Sequence, residues 1–205
     1  MSKFPVLLFL IGVTSFAQEK MDASEAATLR TKVKSLAETT ETISSDFVQY
    51  KHLDFLSNDI QSSGKLYFKS PNQVKWAYVD PFAYAVIFKE NTMYVNNEGK
   101  KNQVDIGANK LFGQLNKLIR ASVTGDLFDT DEFDISYFKS GANREVRFMP
   151  KDDTFSQYVQ EFHIIFNNQA EVIAVKMIEP SQDFTHIVFS NRKTNEDLPD
   201  AVFVH

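Results

Sequence analysis

Short β-type segments follow one another at hairpin spacing along most of this chain, and their connections are too short to hold a parallel crossover. The first, "ISSDFVQYKHL" at residues 43–53, is rich in β-branched and aromatic residues, and the polar stretch through Asn58 and Ser63 suits a hairpin loop. Further segments fall near 65–69, 74–79, 83–89, 92–96 and 103–106, then near 133–138, 144–149, 159–166, 172–178 and 184–191. Turn chemistry separates them: Pro71-Asn72, Pro81, Asn97-Glu98-Gly99, Ser140-Gly141, Asn167-Asn168 and Pro180-Ser181. A chain so punctuated folds as an antiparallel sheet of about ten strands, and a sheet that wide twists and curls.

Two stretches break the period of two. "DASEAATLRTKVKSLAETT" places Ala26, Leu29, Val33, Leu36 and Ala37 at helical spacing, with Asp22 or Ser24 as N-cap. "NKLFGQLNKLIRASVTG" repeats the pattern through Leu111, Phe112, Leu115, Leu118 and Ile119, with Gly125 as a stop. The fold class is therefore mainly β with two or three helices, a curved antiparallel sheet whose concave face only the helices can cover. The pattern does not decide whether the sheet closes on itself.

The 205 residues, 43% of them hydrophobic, suffice for one sizeable core and make a single domain the expectation. A net charge of -5 with no basic stripe argues against nucleic-acid binding. The N-terminus joins a cationic start, the apolar run FPVLLFLIGV and small residues at Ser15 and Ala17, the signature of a secretory signal peptide cleaved after Ala17. The expected product is one exported domain, residues 18–205. With no cysteine, the chain forms no disulfide, carries no thiol nucleophile and has no lipid-modified cysteine at the cleavage point.

Chemistry-bearing constellations are sparse. His52, His163, His186 and His205 lie in different segments without metal-ligand spacing, although His163 and His186 could approach across strands. The acidic run Asp126, Asp129, Asp131, Glu132 and Asp134 lacks the glycine and distal glutamate of a calcium loop. There is no Gly-x-Ser-x-Gly elbow and no phosphate-cradling glycine loop. No enzyme, cofactor or metal is expected, a carboxylate-pair hydrolase being the enzymatic alternative.

The 19 phenylalanines are the compositional oddity. In "GKLYFKSPNQVKWAYVDP", residues 64–81, Leu66 and Phe68 share one strand face, and Val74, Trp76 and Tyr78 share another after the Pro-Asn turn. Such aromatics either fill a core or line a hollow that two helices cannot plug. The stretch settles a resemblance. With "DFVQYK" before it and "YAVIFKENTMYVNNE" after it, it resembles the outer-membrane lipoprotein carriers, the LolA-like family, at Phe47, Gln49, Gly64, Leu66, Pro71, Asn72, Trp76 and Tyr94. From about residue 101 the likeness rests on element order and on "LIRAS".

That resemblance implies an unclosed half-barrel with helices as a lid over an apolar cavity. It implies a monomeric periplasmic carrier that holds the acyl chains of lipoproteins, meeting an inner-membrane donor and an outer-membrane acceptor. On that basis Phe47, Leu66, Phe68, Val74, Trp76, Tyr78 and Phe88 are expected on the lipid-binding wall, and Leu111, Phe112, Leu115 and Leu118 on the lid. One departure stands out: similar carriers often place arginine before the Pro-Asn turn, where this chain has Ser70. A sensor of misplaced lipoproteins, a glycolipid carrier or a fully packed β-protein are the alternatives.

Overall fold

The computed structural model describes residues 19–89, 92–105, 126–128 and 130–205. Helix α1 (Ala23–Glu38) opens on a capping box: the Asp22 carboxylate accepts from the Ser24 and Glu25 amides, and the Glu25 side chain accepts from the Asp22 amide. The helix is followed by β1 (Thr42–His52), β2 (Ile60–Lys69), β3 (Gln73–Asp80), β4 (Tyr84–Lys89), β5 (Thr92–Asn97) and β6 (Lys100–Asp105). The second run comprises β7 (Phe133–Ser140), β8 (Asn143–Pro150), β9 (Glu161–Phe166), β10 (Val172–Ile178) and β11 (Phe184–Thr194). A short helix α2 (Asp153–Ser156) and a 3-10 turn (Asp200–Phe203) complete the described elements.

All strands belong to one antiparallel sheet in the order β6-β5-β4-β3-β2-β1-β11-β10-β9-β8-β7. Every pairing joins consecutive strands except the seam between β1 and β11, so two meanders are stitched together along a single line. Strands β6 and β7 form the two edges and do not pair, leaving the curved sheet unclosed. Residues 19–21 run along the β7 edge, where Met21 N donates to Tyr137 O at 3.0 Å and Lys139 N to Glu19 O at 2.7 Å.

Two buried clusters flank the middle of the concave side. Leu29 and Val33 of α1 pack with Val146, Phe148, Phe162, Ile164 and Phe166 over the β7–β10 half. Ile43, Phe68, Val74, Phe88 and Met93 form the second cluster over the β2–β5 half. On the convex side the C-terminal tail crosses the β2–β6 strands: Lys69 Nζ donates to Leu198 O, Lys75 Nζ to Val202 O and Lys101 Nζ to His205 O, at 3.0, 2.7 and 3.0 Å.

The differences from the sequence expectation have local causes. Strand β2 begins at Ile60, because the polar residues read as loop pair with the end of β1, Lys51 opposite Ile60. A strand exposed on both faces shows no apolar alternation. Edge strand β6 starts at Lys100 rather than 103, with the same polar character. Helix α2 occupies the approach to β9, capped by the Asp152 carboxylate accepting from Phe155 N at 2.8 Å. The expected helix around Leu111, Phe112, Leu115 and Leu118 lies outside the described residues.

Candidate functional site: an apolar cavity

Strand alternation sends Gly64, Leu66 and Phe68 of β2 and Val74, Trp76 and Tyr78 of β3 to the concave side. Gly64 is the position that shapes this wall. It lies opposite Phe47 on β1 and opposite Tyr78 on β3, and it has no side chain to separate them. Phe47 therefore reaches past β2 and meets Trp76 and Tyr78 edge-on, both at 5.0 Å between ring centroids. Across the same gap Tyr78 Oη donates to Gln49 Oε1 at 2.9 Å. Burial pushes the Tyr78 phenol above its ordinary pKa, with Tyr84 adding to the shift, so it remains a neutral donor.

Between this aromatic floor, the opposite half of the sheet and α1 lies a cavity of about 470 Å3. Leu66, Phe68, Val74, Trp76, Tyr78 and Phe88 all line it. Phe47 does not: it is 1% exposed and sits behind Trp76 and Tyr78, supporting the wall rather than forming its surface. From α1 come Val33, Leu36 and Ala37, which makes this helix the cover over the hollow. The far wall, which contributes none of the residues expected to bind lipid, is built by Phe162, Ile164, Val175, Met177, Ile187 and Phe189. The signal was present in the alternation of β9, β10 and β11, but no composition marker as conspicuous as tryptophan drew attention to it.

Polar groups around the cavity are few, and most are satisfied by the protein. Thr40 Oγ1 donates to Leu36 O at 2.7 Å and Ser45 Oγ to Ser190 O at 2.8 Å. Among the described residues, two buried side-chain polar atoms have no hydrogen-bond partner, Trp76 Nε1 and Arg192 Nε, and both side chains line this cavity. An unmet buried donor costs about 1–3 kcal/mol. Arg192 lies near Glu171, with Nε 3.5 Å from Glu171 Oε1. Burial lowers its pKa from the ordinary guanidinium value, and the Glu171 carboxylate acts in the opposite sense.

The histidines stand apart from the hollow. His163 and His186 flank Lys176 on neighbouring strands, and His163 contacts Glu161 at 2.8 Å and Glu145 at 3.3 Å. Asp129 of the acidic run lies outside the described residues.

Fold and site together define a class: single-sheet half-barrels curled around an apolar cavity beneath a helix. Similar folds occur in a chain of the MucA/MucB complex of Pseudomonas aeruginosa, with 10% identity, coverage of 88% of this chain and 61% of that one, and a TM-score of 0.51. A structure of MucB gives 11% identity, 89% and 63% coverage, and 0.52. A LolA superfamily protein from Nitrosomonas europaea gives 11% identity, 88% and 97% coverage, and 0.46. No curated protein matches the sequence. The chain belongs to the LolA family of outer membrane lipoprotein carrier proteins, whose model matches residues 38–205.

Proposed function

We propose that the protein is a periplasmic lipoprotein carrier, which buries the acyl chains of its cargo in the cavity and shuttles them from the inner to the outer membrane. The single observation that carries this reading is the hollow itself: about 470 Å3, walled by aliphatic and aromatic side chains from both halves of the sheet and covered by α1. Its size lies within the range of about 300–1,000 Å3 typical of small-molecule sites. Family membership supports the same reading.

The physical need is plain. Each methylene kept from water contributes about 0.8 kcal/mol, so a long acyl chain does not cross an aqueous space unaided. In this reading Leu66, Phe68, Val74, Trp76, Tyr78 and Phe88 touch the ligand, Phe47 backs them, and Leu111, Phe112, Leu115 and Leu118 belong to the lid. The carrier acts as an exported monomer after cleavage at Ala17, using no cofactor and no covalent step, and meets its membrane donor and acceptor transiently.

Mass spectrometry of the protein gently purified from its native envelope tests the proposal. Co-purified lipoprotein is the expected result. Phospholipid or glycolipid in its place would reassign the cavity to another lipid cargo, and empty protein whose depletion leaves lipoproteins correctly sorted would overturn the reading.

A further inference from the structure

Phe189 and Arg192 both line the cavity although they stand three positions apart on β11, a spacing that regular alternation forbids. The register explains the exception. Opposite β1 the pairing slips between Ser44 and Asp46, so that β11 carries one extra residue, and Asn191 adopts a positive φ of 51°. The bulge is pinned from outside the cavity: Asn191 Nδ2 donates to Asp46 Oδ2 at 2.8 Å, and Lys65 Nζ donates to Asp46 Oδ1 at 2.6 Å. Its effect is to turn a guanidinium into a largely apolar hollow.

Once there, Arg192 is incompletely satisfied. Its Nε is buried without a hydrogen bond, Glu171 stands at 3.5 Å, and the other oxygen of Glu171 is taken by Asn167 Nδ2 at 2.8 Å. The second orphan of the cavity, Trp76 Nε1, is also an N–H. Both unmet groups are therefore donors. A purely hydrocarbon ligand leaves them unmet, whereas a ligand bearing acceptor oxygens satisfies them. Glu171 already supplies a negative charge, so a neutral oxygen suits the site better than a second anion.

We propose that Arg192 is the polar anchor of the cavity, donating to a neutral ester or amide carbonyl oxygen at the head of an acyl-chain ligand. The inference rests on the cavity being the lipid site proposed above, and it adds the ligand's acyl linkage as a recognised element.

Two probes separate the anchor from the hollow: monopalmitoylglycerol, an ester, and hexadecylglycerol, its ether analogue without the carbonyl, each radiolabelled and measured by equilibrium binding. The wild-type protein is expected to bind the ester about tenfold more tightly, the size of effect of a hydrogen bond from a charged donor. Arg192→Met is expected to abolish the ester's advantage, so that the two probes bind equally, and their binding reports that the cavity persists. Equal binding of both probes by the wild type overturns the anchor while sparing the lipid site. So does an ester preference that survives in Arg192→Met, or tighter wild-type binding of palmitate, an anion, than of the ester. Binding of neither probe overturns both the anchor and the carrier reading.

Discussion

Gly64 faces Phe47 across the β1–β2 ladder, and a Cβ at position 64 would lie 2.1 Å from the Ala77 carbonyl oxygen and 2.8 Å from Tyr78 Cα. The atoms in the way belong to the backbone of the neighbouring strand, so no side-chain rotation relieves the clash. The pairing of β2 with β3 slips at this point, between Ser63 and Gly64, which draws the two backbones together.

Gly64→Ala is therefore expected to destabilise the protein by about 3 kcal/mol, at the upper end of overpacking effects. Urea unfolding measures it, with Ser62→Ala on the same strand as a near-neutral control. A Gly64→Ala protein as stable as the wild type would show that β2 and β3 are not so closely apposed.

Trp76 offers an optical readout, since it is the chain's one tryptophan and lines the cavity with its Nε1 unpaired. Filling the cavity with monopalmitoylglycerol is expected to change its emission intensity and maximum. Emission unchanged at saturating ligand would remove Trp76 from the binding wall.

Phe68 and Leu66 separate stability from binding. Phe68 is 2% exposed within the β2–β5 cluster, and Phe68→Ala is expected to cost about 3–5 kcal/mol by leaving a void. Leu66, only partly buried against the same cluster, is expected to cost about 1–2 kcal/mol on truncation to alanine, less than full burial would give. Binding of the palmitoyl probe by Leu66→Ala, compared at equal folded fraction, is expected to weaken severalfold. Unaltered affinity would place the ligand elsewhere.

Asp46 ties acidity to the bulge that orients Arg192. Hydrogen bonds from Asn191 first, and from Lys65 second, hold its carboxyl below the usual carboxylate range. Its contribution is thus fully present above the unfolded-state value, about 3.9, and is lost as pH falls through the lowered folded-state value. Asp46→Asn is expected to be less stable than the wild type at about pH 6, with the gap shrinking only as pH falls below about 3.9, where the unfolded chain begins to bind the proton that the folded carboxylate resists. A gap that stays constant with pH would show that the carboxylate charge contributes nothing at this position.

The concave face of β2 and β3 was legible because local hairpins preserve alternation: from Leu66 to Tyr78 the period of two places each side chain correctly. Arg192 was not legible, since a bulge changes the facing of everything beyond it and nothing in "FSNRK" announces one. The depth of Phe47 was hidden for a related reason. Its aromatic neighbours stand two strands away, and only the absent side chain at Gly64 lets them meet. Polar stretches such as the starts of β2 and β6 escaped detection because exposure on both faces erases the apolar pattern.

The stitched seam between β1 and β11 also orders events in time. Ser45 Oγ and Ser190 O, bonded at 2.8 Å, are 145 positions apart, whereas every other ladder zips from a neighbouring hairpin. During vectorial synthesis β1 emerges early with one backbone rim open, and its partner is the last strand to be made. Until then that rim is an unpaired edge, and joining the two meanders is the longest loop closure that the sheet of the described residues requires.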